Sequence, residues 1–213
     1  MVWVQLGVLL LGAYLLGAIP NGFLLGRLRG HNLLQQGSGK TGATNTMHVL
    51  GRGPAALVFL LDLLKGALAV LLARALPWPD PQWGDLAAGA AAAAAIIGHN
   101  WSLWVRLLAG RWGGGRGLVT ALGATLLIHP LAGLVAVLGA ALGFGLARDT
   151  LVGGMLGTLA GLGTIIGLAA TQNVSPWVVP GGVLWTLLIM AGFQDSFRRA
   201  LQRRTDNRGH IPD

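Results

Sequence analysis

Apolar residues in this chain run in long blocks separated by short polar or glycine-rich gaps. The blocks fall near residues 2–26, 54–76, 86–98, 117–129, 131–147, 151–170 and 177–195. A helix needs about 20 residues to cross a hydrocarbon core. The pattern therefore predicts an all-α integral membrane protein, a bundle of about seven transmembrane helices forming a single domain over residues 1–213. Two of the spans are predicted to be short, since Asp85–Gly98 and Gly117–His129 each hold only about a dozen apolar residues. The backbone between them, GHNWSLWVRLLAGRWGGGRG (98–117), is then expected to dip toward the bilayer, where irregular backbone survives only if protein or a watery cavity satisfies its amides. The first block has neither a basic leader nor a small-residue cleavage site, and reads as a retained helix.

Composition agrees with the blocks: 54% of residues are hydrophobic and only 10% charged, against about 25% charged in ordinary soluble domains. The net charge of +8 would suit a nucleic-acid partner, but its placement excludes that reading. Thirteen of the fifteen Lys and Arg lie in alternate gaps or at the C-terminus: Arg27, Arg29, Lys40 and Arg52, then Arg106, Arg111 and Arg116, then Arg148, then Arg198, Arg199, Arg203, Arg204 and Arg208. The gaps Pro77–Gly84 and Thr171–Pro176 have none. By the positive-inside rule the N-terminus lies outside, and the basic loops and C-terminus face the cytoplasm. Trp78, Trp83 and Trp177 fall at the opposite ends, as interfacial anchors do. The chain has no cysteine and no glutamate, so thiolate chemistry is excluded and carboxylate chemistry falls to seven aspartates.

Three cytoplasmic gaps carry candidate chemistry. In GSGKTGATNTMHVLG (37–51), the glycines Gly37, Gly39 and Gly42 with Ser38, Thr44 and Asn45 form a loop whose amides and hydroxyls suit an anionic oxygen. The GSGKT within it is not a nucleotide P-loop, because Leu34 stands where that pattern needs its first glycine. In the second gap, Gly113, Gly114, Gly115 and Gly117 surround Arg116, whose guanidinium grips phosphate while the glycines admit the ligand close to backbone. His99 and Asn100 open the same segment, as acid–base candidates or as structural donors. Asp62 and Lys65 are placed to pair at i,i+3 inside a span. Arg148, Asp149 and Thr150 form the third gap.

Together these segments resemble one family, the bacterial membrane acyl-phosphate:glycerol-3-phosphate acyltransferases known as PlsY. LLGAIPNGFLLGRL (15–28) is similar to that family's first span, and the 37–51 loop to its GSGN-x-GATN-x-x-R-x-x-G. LLDLLKGALAVLLA (60–73) resembles its D-x-x-KG span, and residues 98–123 its GH-x-x-P…F-x-GGKGVAT-x-x-G segment. The resemblance implies acyl transfer from acyl phosphate to the 1-hydroxyl of glycerol 3-phosphate, without cofactor or metal, in the bacterial plasma (inner) membrane. It implies Ser38, Asn45 and Arg116 as catalytic residues. It implies substrate contacts from Gly37, Ser38, Gly39, Lys40, Thr44, Asn45, His48, Lys65, His99, Asn100, Gly114, Gly115, Arg116, Gly117 and Thr150. Its partners are acyl phosphate, glycerol 3-phosphate and membrane lipid.

The chain departs from the family pattern at several of these positions. Lys40 replaces Asn, His48 replaces Arg, Arg116 replaces Lys and Thr150 replaces Ser. In the tail, GFQDSFRRALQRRTDNRG (192–209), Phe193 aligns with a histidine and no GTE follows. These departures keep two other readings open, a non-catalytic homologue that binds a phosphorylated or lipid ligand, and a small anion transporter. Because the glycines admit either cationic head group, the sequence predicts that lysine at position 116 retains much of the function.

Overall fold

A computed structural model describes residues 1–194, all of whose regular structure is helical. The basic tail and the missing GTE motif lie outside the described residues. The first span comprises α1 (Val2–Gly17) and α2 (Asn21–Leu28), and α3 (Ala43–Leu50) follows. The bundle continues through α4 (Arg52–Ala75), α5 (Pro81–Asn100), α6 (Leu103–Ala109), α7 (Leu118–Ile128), α8 (Pro130–Ala147) and α9 (Thr150–Ala170). A 3-10 turn at Pro176–Val178 leads into α10 (Val179–Gly192). Five segments are long and apolar enough to span, and Leu118–Ile128 and Pro176–Gly192 are shorter apolar segments.

The predicted shortness holds for one of the two spans. At 11 residues, α7 is about 16 Å long, half a hydrocarbon core. By contrast α5 is a full 20-residue helix that starts inside the predicted gap, at Pro81. Asp80 caps it by accepting a hydrogen bond from Trp83 N at 3.1 Å, and Pro81 at its start is pre-set for helical φ. Its polar first turn ends the apolar run without ending the helix. Two further gaps hold helices: Thr44, Asn45 and His48 stand on α3, and α6 starts at the Ser102 cap and stops at left-handed Gly110.

Pro20 breaks the first span, since it lacks an N–H and restricts Ile19 before it. A break within the bilayer exposes carbonyls that lipid cannot satisfy. Other elements supply the donors. Trp104 Nε1 donates to Leu15 O at 3.0 Å, Ser102 Oγ to Ala18 O and Lys65 Nζ to Ile19 O at 3.1 Å.

Small residues set the helix crossings, as expected where lipid offers no hydrophobic drive between helices. A Cβ on Gly17 would strike the Ala95 carbonyl, and one on Gly98 the Tyr14 carbonyl, so α1 and α5 touch backbone to backbone. The same reciprocity joins α4 to α7 through Gly66 and Gly123. Central in the bundle, α5 buries Ala87, Ala88, Ala91, Ala92, Ala93 and Ala95, and Trp185 Nε1 of α10 donates to its Gly89 carbonyl at 2.9 Å. At the end opposite the glycine loops, Trp3 and Trp83 meet edge to face with centroids 5.2 Å apart.

Candidate active site

Asn45 builds the first loop. Its Oδ1 accepts from Ser38 N at 2.8 Å, and its Nδ2 lies 3.1, 3.0 and 2.8 Å from the carbonyls of Leu33, Gln36 and Lys40. Gly37 and Gly39 turn the chain around this amide at φ 60° and 71°, a region that disfavours side chains. A Cβ at Gly37 would also meet Asn45 Oδ1. Asn45 is thus buried, and its amide shapes the loop.

Three of the loop's amides have acceptors within the protein. Those of Ser38 and Gly39 are used within the loop, and Thr41 N donates to Gly114 O at 3.1 Å, stitching the first loop to the second. A polar cavity of about 370 Å³ lies at this junction, lined by Ser38, Gly39, Lys40, Arg111, Gly113 and Gly114 among others. Arg111, which enters the sequence reading only through the charge bias of its gap, donates to Leu34 O at 2.9 Å.

The second loop lies flat on the end of α5. Gly115 N donates to His99 O at 2.9 Å and Ser102 N to Gly113 O at 2.9 Å. A Cβ at Gly114 would strike the His99 and Asn100 carbonyls, and one at Gly115 the His99 ring. These contacts supply the backbone partners that a recessed loop requires. Between the glycines, half-buried Arg116 extends to the third loop, where Nη1 donates to Thr150 Oγ1 at 3.3 Å. Its guanidinium carbon lies 4.8 Å from the centroid of the Phe193 ring. The structure thus joins Arg116 to Thr150, two sequence candidates 34 positions apart.

Beneath the loops sits a buried polar cluster. Asp62 Oδ1 is 2.9 Å from Lys65 Nζ, 2.9 Å from Asn21 Nδ2 and 3.7 Å from His99 Nδ1. Lys65 spends its charge on Asp62 and on the Ile19 carbonyl, and Asn100 Nδ2 donates to Leu188 O at 2.9 Å. Lys65, His99 and Asn100 lie behind the two loops, outside the linings of the two cavities described here. His48 lies exposed on α3 and Thr44 stands one turn before it.

A second cavity, of about 410 Å³, runs between α7, α8, α9 and α10. Thr44 and Thr150 stand at its mouth, on the side of the glycine loops, and Ala136, Gly161, Ile165 and Gly182 line its far end. Its lining is almost wholly apolar, because Thr125, Thr158 and Thr186 each turn their hydroxyl back to a carbonyl one turn earlier in their own helix. Both cavities border the same two loops. The stretches between their linings, Thr41–Ala43 and Gly115–Gly117, contain Arg116.

A protein-family model described as glycerol-3-phosphate acyltransferase matches residues 7–203. The chain is similar to the glycerol-3-phosphate acyltransferase of Synechococcus elongatus, 41% identical over 181 residues, covering 81% of this chain and 78% of that one. To the protein of the same name from Myxococcus xanthus it is 38% identical over 202 residues, covering 94% and 97%. Its fold resembles the crystal structure of PlsY (YgiH), an integral membrane glycerol 3-phosphate acyltransferase, in the glycerol 3-phosphate form. The TM-score is 0.79 with 27% identity, over 94% of each chain.

Proposed function

The chain belongs to the glycerol-3-phosphate acyltransferase family and acylates glycerol 3-phosphate in phospholipid synthesis, and from that premise we propose how its two cavities divide the reaction. The polar cavity takes glycerol 3-phosphate, with Ser38, Lys40 and Arg111 around its phosphate. The apolar cavity takes the acyl chain of an acyl phosphate, a donor that reaches the mouth at Thr44 and Thr150 from within the bilayer. The single observation that carries this reading is that Arg116 sits on the seam between the cavities with its side chain bonded to Thr150.

At that seam the 1-hydroxyl oxygen attacks the acyl carbon, the bond from that carbon to the phosphate oxygen breaks, and lysophosphatidate and inorganic phosphate leave. Charge builds on the carbonyl oxygen and on the departing phosphate, where fixed cations lower the barrier. Phosphate, with a second pKa of about 6, leaves readily and accepts a proton. The step therefore asks for no covalent enzyme intermediate. Apolar walls at one side and cations at the other fit a lipid-like donor and a small anionic acceptor. The readings as a binding-only homologue or a transporter are not favoured, given relatives named as acyltransferases over most of their length.

The donor is tested by offering the purified protein long-chain acyl phosphate or the matching acyl-CoA with glycerol 3-phosphate. Lysophosphatidate is expected only from acyl phosphate, with one phosphate released per product. Product from the thioester alone would contradict the donor assignment.

We place the site in the cytoplasm of a bacterial cell, within its plasma membrane, on the charge asymmetry of the loops. The chain has no native cysteine, so one introduced as Ser38→Cys reports a single position. Labelling by an impermeant maleimide is expected in inverted vesicles. Labelling in intact cells would reverse the topology.

A further inference from the structure

We propose that Phe193 is a positioning residue for the acyl-transfer reaction, acting through Arg116; this rests on the seam assignment above. Phe193 directly follows α10, where its backbone N–H donates to the carbonyls of Ile189 and Met190 at 3.2 and 3.0 Å. The ring and the backbone that carries it are both held in place. The ring tip fits where α9 has Gly154, at which a Cβ would lie 3.0 Å from Phe193 Cζ. The preceding Gly192 lies against the second loop, so that a Cβ there would be 3.1 Å from Arg116 Cα. Asn100 clamps the two together by donating to Leu188 O. At 2% exposure the ring has no room to swing.

The guanidinium uses this fixed ring as a backstop. Its central carbon lies over the ring, 4.8 Å from the centroid, while Nη1 donates to Thr150. A guanidinium can do both at once, since stacking uses a face and hydrogen bonding uses the edge. The ring's negative quadrupole therefore favours one orientation of the Arg116 head, over the ring and bonded to Thr150 at the mouth of the apolar cavity. An aliphatic side chain of similar bulk would fill the space but leave the head free to rotate. The ammonium of a lysine would feel the ring, but has no rim to direct.

The test separates quadrupole from bulk. Phenylalanines carrying an increasing number of ring fluorines are incorporated at position 193, which drains the ring's negative face with little change in shape, and Phe193→Leu is made for comparison. The expected result is a stepwise fall in kcat/KM with fluorination, reaching about tenfold at full substitution. Phe193→Leu should reach a similar loss, with thermal midpoints of the fluorinated proteins unchanged. A flat fluorine series would overturn the proposal whether or not Phe193→Leu lowers activity, because the ring would then be only filler. Full activity of Arg116→Ala would instead refute the seam assignment, so the two failures are distinguishable.

Discussion

Arg116→Ala is expected to lower kcat/KM by about a hundredfold or more, the cost of removing a donor fixed at developing transition-state charge. The expectation follows from position. Arg116 lies between a polar and an apolar cavity, is held by backbone glycines that a Cβ would displace, and bonds to Thr150 at the apolar mouth. Arg116→Lys is expected to lose about tenfold, in contrast to the tolerance the sequence alone predicts. Lysine keeps the charge but forfeits the planar fork that lies over Phe193 and reaches Thr150. Steady-state kinetics with both substrates varied measures this. An alanine variant within about twofold of wild type, far less than such a donor contributes, would remove Arg116 from the mechanism.

The second large effect is on stability. Asp62→Ala is expected to destabilise the protein by about 3–5 kcal/mol, the usual cost of stranding one partner of a buried ion pair. Both members are almost wholly buried, and Asp62 also accepts from Asn21 on α2 and faces His99 on α5. Loss of the carboxylate leaves the Lys65 ammonium uncompensated and loosens the hold on the break at Pro20. The double variant Asp62→Ala with Lys65→Met is expected to recover part of the loss, since an apolar pair avoids the stranded charge. The recovery should be incomplete, because Ile19 O loses its donor. Thermal unfolding in detergent reads both. A single variant as stable as wild type would mean that water reaches the cluster.

Much of this architecture is legible in the sequence because lipid-facing helices show as uninterrupted apolar blocks. The short α7 is legible for the same reason, since Gly117 and His129 bracket a run too brief to span. The start of α5 is misread where polar residues mark the membrane interface rather than the end of a helix, although Asp80-Pro81 is itself a helix-start signal. Site residues are legible as types but less so as roles. Asn45 reads from the sequence as a loop residue, but that its amide meets four backbone groups shows only in the fold. Asp62 and Lys65 show their pairing through spacing alone, but Asn21, 41 positions from Asp62, gives no local sign of joining them. Phe193 and Arg116 likewise meet only because α10 returns to the second loop.

The most direct test of the two-cavity account is a structure of this protein with glycerol 3-phosphate bound. The phosphate is expected in the polar cavity, within hydrogen-bond reach of the Ser38 hydroxyl and of Lys40 or Arg111, with the 1-hydroxyl turned toward Arg116. Density for the phosphate at the exposed Arg27 and Arg29, or inside the apolar cavity, would contradict it.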